Sequence, residues 1–243
     1  MNALLALAQP PAGVLHRVRR IALACVMLAT AAAGWAQAAA LPAVVVWDFD
    51  NQTATSTLPA ERIDYLRRSL SENLTVTLLQ VQGLPVVERQ RLKDLLAEQQ
   101  LTATALADED TRLRLGKIVG AQRMVFGGFF VLGDEVQVHV RVVDTASSRV
   151  IFSDEATTPL PAVMQQVAAM NGRLARALGG SAAPDARTHP PEVWQAYDRA
   201  LALADAGDLD AAITALQALL ARDKYFTPAE RQLVALLGKM ARR

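Results

Sequence analysis

The sequence predicts an α+β fold: a small mixed β-sheet flanked by helices, followed by a C-terminal helical hairpin. Three observations predict it. A β-branched run near residue 45 leads into segments whose apolar residues recur every three or four positions. Between residues 123 and 157 the pattern switches to a two-residue alternation. Helical spacing then returns and holds to the end of the chain.

The first segment reads as a leader. Arg17, Arg19 and Arg20 form a positive cluster, and Ile21 to Gly34 make an apolar run of about 14 residues, within the range of secretory signals and short for a membrane span. Ala36 and Ala38 put small residues where a signal peptidase reads them, so residues 1–38 are expected to be a signal peptide cleaved after Ala38. Cys25, the sole cysteine, lies inside this run. Only Ile21 to Ala24 separate it from Arg20, too little of the apolar stretch that a lipoprotein anchor needs before its cysteine. An anchor at Cys25 is therefore the alternative reading. Without the leader the chain has no cysteine, hence no disulfide and no thiolate metal site.

The leader also changes the charge. The whole chain has 25 basic and 24 acidic residues; the leader holds three of the arginines and no acid. The remainder has 22 basic against 24 acidic residues, a formal charge of −2. Such a balance gives no electrostatic basis for holding nucleic acid. No later apolar run reaches the ~18 residues of a transmembrane helix.

Leu41 to Asp48 is a continuous apolar run suited to a buried strand. Asp50, Asn51, Thr53 and Ser56 make a loop. Ala60 to Leu79 then carries Ile63, Leu66, Leu70, Leu74 and Leu78 on one helical face, and Gly83 ends it. Leu84 to Val87 is a short strand and Arg89 to Gln100 a second amphipathic helix. Asp108 to Val119 is a third, with Asp108 as N-cap and Gly120 as C-cap. Arg123 to Leu132 is a strand and Gly133-Asp134 a tight turn. Val136, Val138, Val140 and Val142 alternate with Gln137, His139 and Arg141, as in a half-buried antiparallel strand. Thr145 to Ser148 turns again, Arg149 to Thr157 is the last strand, and Pro161 to Leu178 is helical. The αβ domain therefore spans 39–178. Residues 179–190, rich in Gly, Ser, Ala and Pro, form a linker. Residues 191–243 form the hairpin, with helical segments at 192–206 and 208–222 joined at Gly207 and a closing helix after Pro228.

Several segments, taken in order, carry a resemblance. They are Val44 to Asn51 (Val-Val-Val-Trp-Asp-Phe-Asp-Asn); Leu70 to Leu74; Val86 to Arg89 with Leu92 and Leu96; Leu115-Gly116; Val119 to Ala121; Phe126 to Gly128; Leu132 to Asp134; and Arg141 to Asp144. Together they resemble the CsgG/LpoB family of envelope proteins, which comprises curli-assembly proteins and activators of cell-wall synthases. The resemblance implies the αβ fold and a role in the envelope. One departure bears on function. Family pores insert long amphipathic hairpins, whereas the connections at Gly133-Asp134 and Thr145 to Ser148 leave no room for the ~9–11 alternating residues of each membrane strand. The C-terminal segment is similar to a tetratricopeptide repeat through Gly207-Asp-Leu-Asp-Ala-Ala-Ile213, Leu216, Leu219 and Asp223, with Tyr197 and Ala200 on the preceding helix. One repeat is short of a stable solenoid, so this unit is expected to pack on the first domain, another copy or a partner.

Few residues suggest chemistry. Asp48 and Asp50 at a strand end resemble the Asp-x-Asp of haloacid-dehalogenase-type phosphatases, which would use Mg²⁺. The position two residues on, however, is Gln52 where that pattern has Thr or Val. The competing reading is a solvated strand end with Asp50 or Asn51 capping the turn. Beyond the leader only His139 and His189 remain, which makes a zinc site or a nucleophilic triad improbable. His139 is expected to be an exposed strand residue, and His189 lies in the linker. Gly127-Gly128 reads as a bulge or close-packing point, since no Lys-Ser/Thr follows as in a phosphate loop. No cofactor or metal is expected. Arg67, Arg68, Arg89 and Arg91 form either a basic patch or an ordinary solvated face. Trp194 and Tyr197, three apart on one helix face, are the candidate partner-binding residues; packing within the hairpin is the competing reading.

These observations predict a non-catalytic periplasmic protein that acts through protein–protein binding. It would serve as accessory factor for an outer-membrane or curli-type assembly, or activate a peptidoglycan synthase. The alternatives are a ring-forming secretion or structural component, with homo-oligomers, and a Mg²⁺-dependent phosphohydrolase using Asp48 and Asp50. An outer-membrane lipoprotein through Cys25 is the alternative localisation.

Overall fold

The computed structural model describes residues 41–54, 58–59, 62–87, 92, 98, 108–180 and 189–242. The first departure from the sequence reading comes at once. Of the run Leu41 to Asp48 only Val44–Val46 is a strand, β1, and Asp50–Asn51, expected in a loop, form β2. Between them the chain leaves the ladder, because the Phe49 N–H donates to the carbonyl of Arg67, 3.0 Å away at the start of the next helix. That helix, α1 (Leu66–Leu79), begins later than its apolar spacing predicts. Its face of Leu66, Leu70, Leu74 and Leu78 is fully buried.

β3 (Val86–Val87) follows. Of the helix expected over 89–100, nearly all lies outside the described residues; Leu92 is buried. α2 (Glu109–Ile118) starts as predicted, with the Asp108 carboxylate accepting from the Thr111 N–H at 2.8 Å. It ends at Val119, with Gly120 beyond it at φ +76, a conformation that favours glycine at a helix end. Then come the three long strands β4 (Arg123–Leu132), β5 (Glu135–Asp144) and β6 (Val150–Pro159). α3 (Val163–Ala177) closes the αβ part. α4 (Pro191–Asp205), α5 (Leu209–Arg222) and α6 (Thr227–Met240) complete the chain.

Among the described residues the sheet has six strands, in the order β3-β1-β4-β5-β6 with β2 also paired to β4. β1 is parallel to β3 and β4, and β2 is parallel to β4; β4, β5 and β6 are antiparallel. The mixed α+β architecture read from the sequence is the one observed. The β4–β5 connection is the two-residue turn Gly133-Asp134. The β5–β6 turn is pinned by Asp144, whose carboxylate accepts from the Ser147 N–H and hydroxyl at 2.8 Å each and pairs with Arg123.

Alternation sends one set of side chains to each face. On the first face Val44, Val125, Phe129, Val131, Val136, Val138, Val140 and Val142 pack against α1 and α3. On the second, Val45, Trp47, Met124, Phe126 and Val143 pack against Leu92 and against Leu113 and Leu115 of α2. The first cluster is the larger and does not stop at α3. It continues through Trp194, Tyr197, Leu201, Leu216 and Phe226 of the C-terminal helices. Of the three places where those helices were expected to pack, the structure shows the first: they sit against α1. Arg68 of α1 joins them, with Nε 3.1 Å from Asp198 and NH1 3.4 Å from Asp205, both on α4. No helix among the described residues is long and apolar enough to cross a membrane.

Candidate functional site

The strand-end carboxylates do not converge. Asp48 Oδ1 accepts from the Ser71 hydroxyl of α1 at 3.2 Å. Asp50 Oδ2 lies 3.2 Å from NH1 of Arg112 on α2. A phosphatase of that type presents one carboxylate as nucleophile and the other as acid/base to a single substrate site, and here they are tied to different helices. This arrangement gives the phosphohydrolase alternative of Asp48 and Asp50 no support: the two carboxylates tie the strand end to α1 and α2. Among the described residues no cluster of three or more His, Cys, Asp or Glu could hold a metal. Asn51 is the turn-capping residue of this stretch, its Oδ1 accepting from the Thr53 N–H at 3.0 Å and its Nδ2 donating to Asp64 at 2.9 Å.

Gly127 and Gly128 are a close-packing point on both faces of β4. A Cβ on Gly127 would come within 2.3 Å of the Phe49 ring; one on Gly128 would meet His139 at 2.7 Å and Gln52 at 3.0 Å. His139 is thus half-buried against Gly128, a correction to the exposed position expected of it. Burial, helped by the nearby Arg141, pulls its pKa below 6.5, against the opposing pull of Asp50 and Glu155. Beside it Phe126 receives two guanidinium groups, Arg112 at 5.0 Å and Arg141 at 5.4 Å from the ring centroid.

Trp194 and Tyr197 are each 1% exposed. They form an edge-to-face cluster with Phe226, at centroid distances of 4.8 Å and 5.4 Å from it, an arrangement that suits aromatic quadrupoles. The physical reason is the docking of α4 on α1, which turns this helix face inward. As a surface anchor for a partner the pair is corrected: it is core. Tyr65, where α1 begins, is caught in the same junction. Burial and the Glu192 carboxylate push its phenol up to about 12.

The proposed basic patch is also divided. Arg68 is engaged with α4, Arg67 is exposed, and Arg89 and Arg91 lie outside the described residues, as does Cys25.

The residue that sequence reasoning missed is His189. It does not hang in a linker: Nδ1 lies 2.6 Å from Asp223 Oδ2, and its ring sits edge-on to Phe226 at 4.9 Å. A lone histidine in a Gly/Pro-rich stretch carries no signal of that pairing. His189 borders a cavity of about 280 Å³ between α1, α4 and the α5–α6 turn. Its apolar wall is Val76, Trp194 and Pro228; Asn73 and Gln80 add amides, and Lys224 and Glu230 add opposite charges. The indole N–H of Trp194 is buried without an acceptor, a situation that typically costs about 1–3 kcal/mol.

The fold and site define a class by architecture: a mixed αβ sheet with helices packed on both faces and a small cavity at the junction with the C-terminal helices. Residues 29–135 match the family model described as curli production assembly/transport component CsgG. Within the described residues this match runs from Leu41 through β4 to the start of β5. Comparison with curated proteins finds no match. Among solved structures, the LpoB C-terminal domain from Salmonella enterica shares 17% identity, with 51% of this chain and 87% of that one covered at a TM-score of 0.36. The lipoprotein GNA1162 from Neisseria meningitidis shares 14%, covering 55% and 96% at 0.39. The PelC dodecamer from Paraburkholderia phytofirmans shares 14%, covering 58% and 89% at 0.35.

Proposed function

We propose that this chain is a non-catalytic protein of the cell envelope that acts by binding another protein. The observation that carries the reading is the match of residues 29–135 to a family described as a curli assembly and transport component. The two strand-end carboxylates support it by being committed to Ser71 and Arg112. The short turns between β4, β5 and β6 support a binder over a pore, since neither can hold a membrane-spanning hairpin. In this reading residues 1–38 are a removed export signal and 39–178 the αβ domain. Residues 179–190 are a linker, and 191–243 a tetratricopeptide-like attachment that adds contact surface. The partner is an outer-membrane assembly component or a peptidoglycan synthase, met in the periplasm.

Light scattering on the chain purified from the envelope fraction tests this. A monomer or small oligomer is expected. A stable ring of eight or more copies would replace the reading with the ring-forming alternative. Cross-linking in the envelope should yield a defined heteromeric adduct. Cys25→Ser should leave fractionation unchanged, and its release from the membrane fraction would establish the lipid anchor instead.

A further inference from the structure

The cavity between α1, α4 and the α5–α6 turn has features that the partner-binding reading does not use. At about 280 Å³ it is at the small end of ligand sites, sized for a few linked non-hydrogen groups and not for a folded partner. Its wall is apolar and aromatic, from Val76, Trp194 and Pro228. Asn73 keeps its carbonyl occupied by Asn171, which donates to it at 2.8 Å, so its N–H₂ is the group left for a ligand. Gln80 supplies a second amide, and amide side chains match peptide groups in donor and acceptor.

The charges at the cavity are the most specific feature. Lys224 and Glu230 both border it and are exposed. Neither has an ion pair among the described residues; the Lys224 ammonium lies 5.0 Å over the neighbouring Tyr225 ring. Two opposite charges beside one small cavity, each without a counter-ion, match a molecule carrying both charges. Trp194, whose buried indole N–H has no acceptor, borders the same cavity.

We propose that this cavity binds a short zwitterionic peptide, a free dipeptide in size. Lys224 receives its carboxylate, Glu230 its ammonium group, and the Asn73 and Gln80 amides its peptide bond. The inference stands apart from the partner-binding reading, so either can fail alone.

Calorimetric titration of the full chain with alanyl-alanine tests it, together with the same dipeptide N-acetylated and the same dipeptide as its C-terminal amide. The free dipeptide is expected to bind, and each capped form to bind at least about tenfold more weakly, one lost charge contact being worth roughly that factor. The Trp194 indole N–H resonance should move on binding. Lys224→Ala should remove the preference for a free carboxylate, and Glu230→Gln the preference for a free ammonium. Both residues are exposed, so neither change touches the core. No binding of the free dipeptide by about 10 mM, where even a weak site of millimolar affinity fills, overturns the proposal. So does equal binding of the free and both capped forms, or a preference that survives both variants.

Discussion

The two faces of the sheet are built differently, and adjacent glycines of β4 show how. Gly127 faces the first side and lies under the ring of Phe49, which is fully buried. Gly128 faces the second and lies under the imidazole of half-buried His139. The first face is a continuous apolar cluster that runs on through α1 into the C-terminal helices. Among the described residues the second is covered by Leu92 and α2 around Phe126 and Met124; beyond them β4 exposes Leu132 at 75%. Its packed part leaves the indole N–H of Trp47 and Nε of Arg112 without partners, as the first cluster leaves the indole N–H of Trp194. A dry, interlocked face tolerates little change in volume. At the exposed rim of the second face a side chain can shift outward.

The largest test of this contrast is Trp194→Ala. It empties the end of the first cluster, so a loss of about 3–5 kcal/mol in denaturant unfolding is expected. A loss under ~1 kcal/mol would show that the helices hold without it. Next is Gly127→Ala, where the added methyl meets the Phe49 ring. A destabilisation of about 1–3 kcal/mol is expected, partly recovered by Phe49→Leu in the same chain. Gly128→Ala should fall below Gly127→Ala, because the imidazole that it meets stands at a rim and can turn away; equal costs would break the contrast. Arg68→Ala follows, at about 1 kcal/mol or less, since the ion pairs with Asp198 and Asp205 are partly solvated and screened by salt.

The smallest expected effect is a pH slope. The folded pKa of His139 is lowered from 6.5, chiefly by burial. Unfolded chains therefore bind its proton first on acidification. The stability held by the neutral ring is full above 6.5 and is lost as pH falls from there through the lowered folded value. Comparing unfolding of the wild type and His139→Asn across that window should show a shallower slope in the variant. Asp108 and Asp144, lowered from 3.8 by Thr111 and Ser147 respectively, act only at more acid pH. Their contributions are present above 3.8 and lost as pH falls below it.

Much of the sheet was legible from period alone. Arg123 to Leu132 and the alternating valines of β5 announce themselves because each residue's face follows from its neighbours. The Asp108 cap was legible because its partner Thr111 is three residues away. What period cannot carry is a contact made across sequence. The break at Phe49 depends on Arg67, and the inward turn of Trp194 and Tyr197 depends on where α4 docks. Helical spacing correctly put those two aromatics on one face but not on which side of the molecule that face would lie. His139 looked exposed because alternation assigned it to the polar side. The glycine opposite, which makes room for its ring, belongs to another strand. The cavity was illegible for the same reason, since Asn73, Trp194 and Lys224 come from three separate segments.

β6 is an outermost strand of ten residues, and such an edge is a template for pairing with a neighbouring chain. Asp154 occupies it: one carboxylate oxygen accepts from the Glu155 N–H at 3.0 Å and the other from Arg173 Nε at 2.7 Å. A newcomer strand would have to strip Asp154 from both donors before it could reach that backbone position. Growth of the sheet past β6 is thereby opposed at its middle.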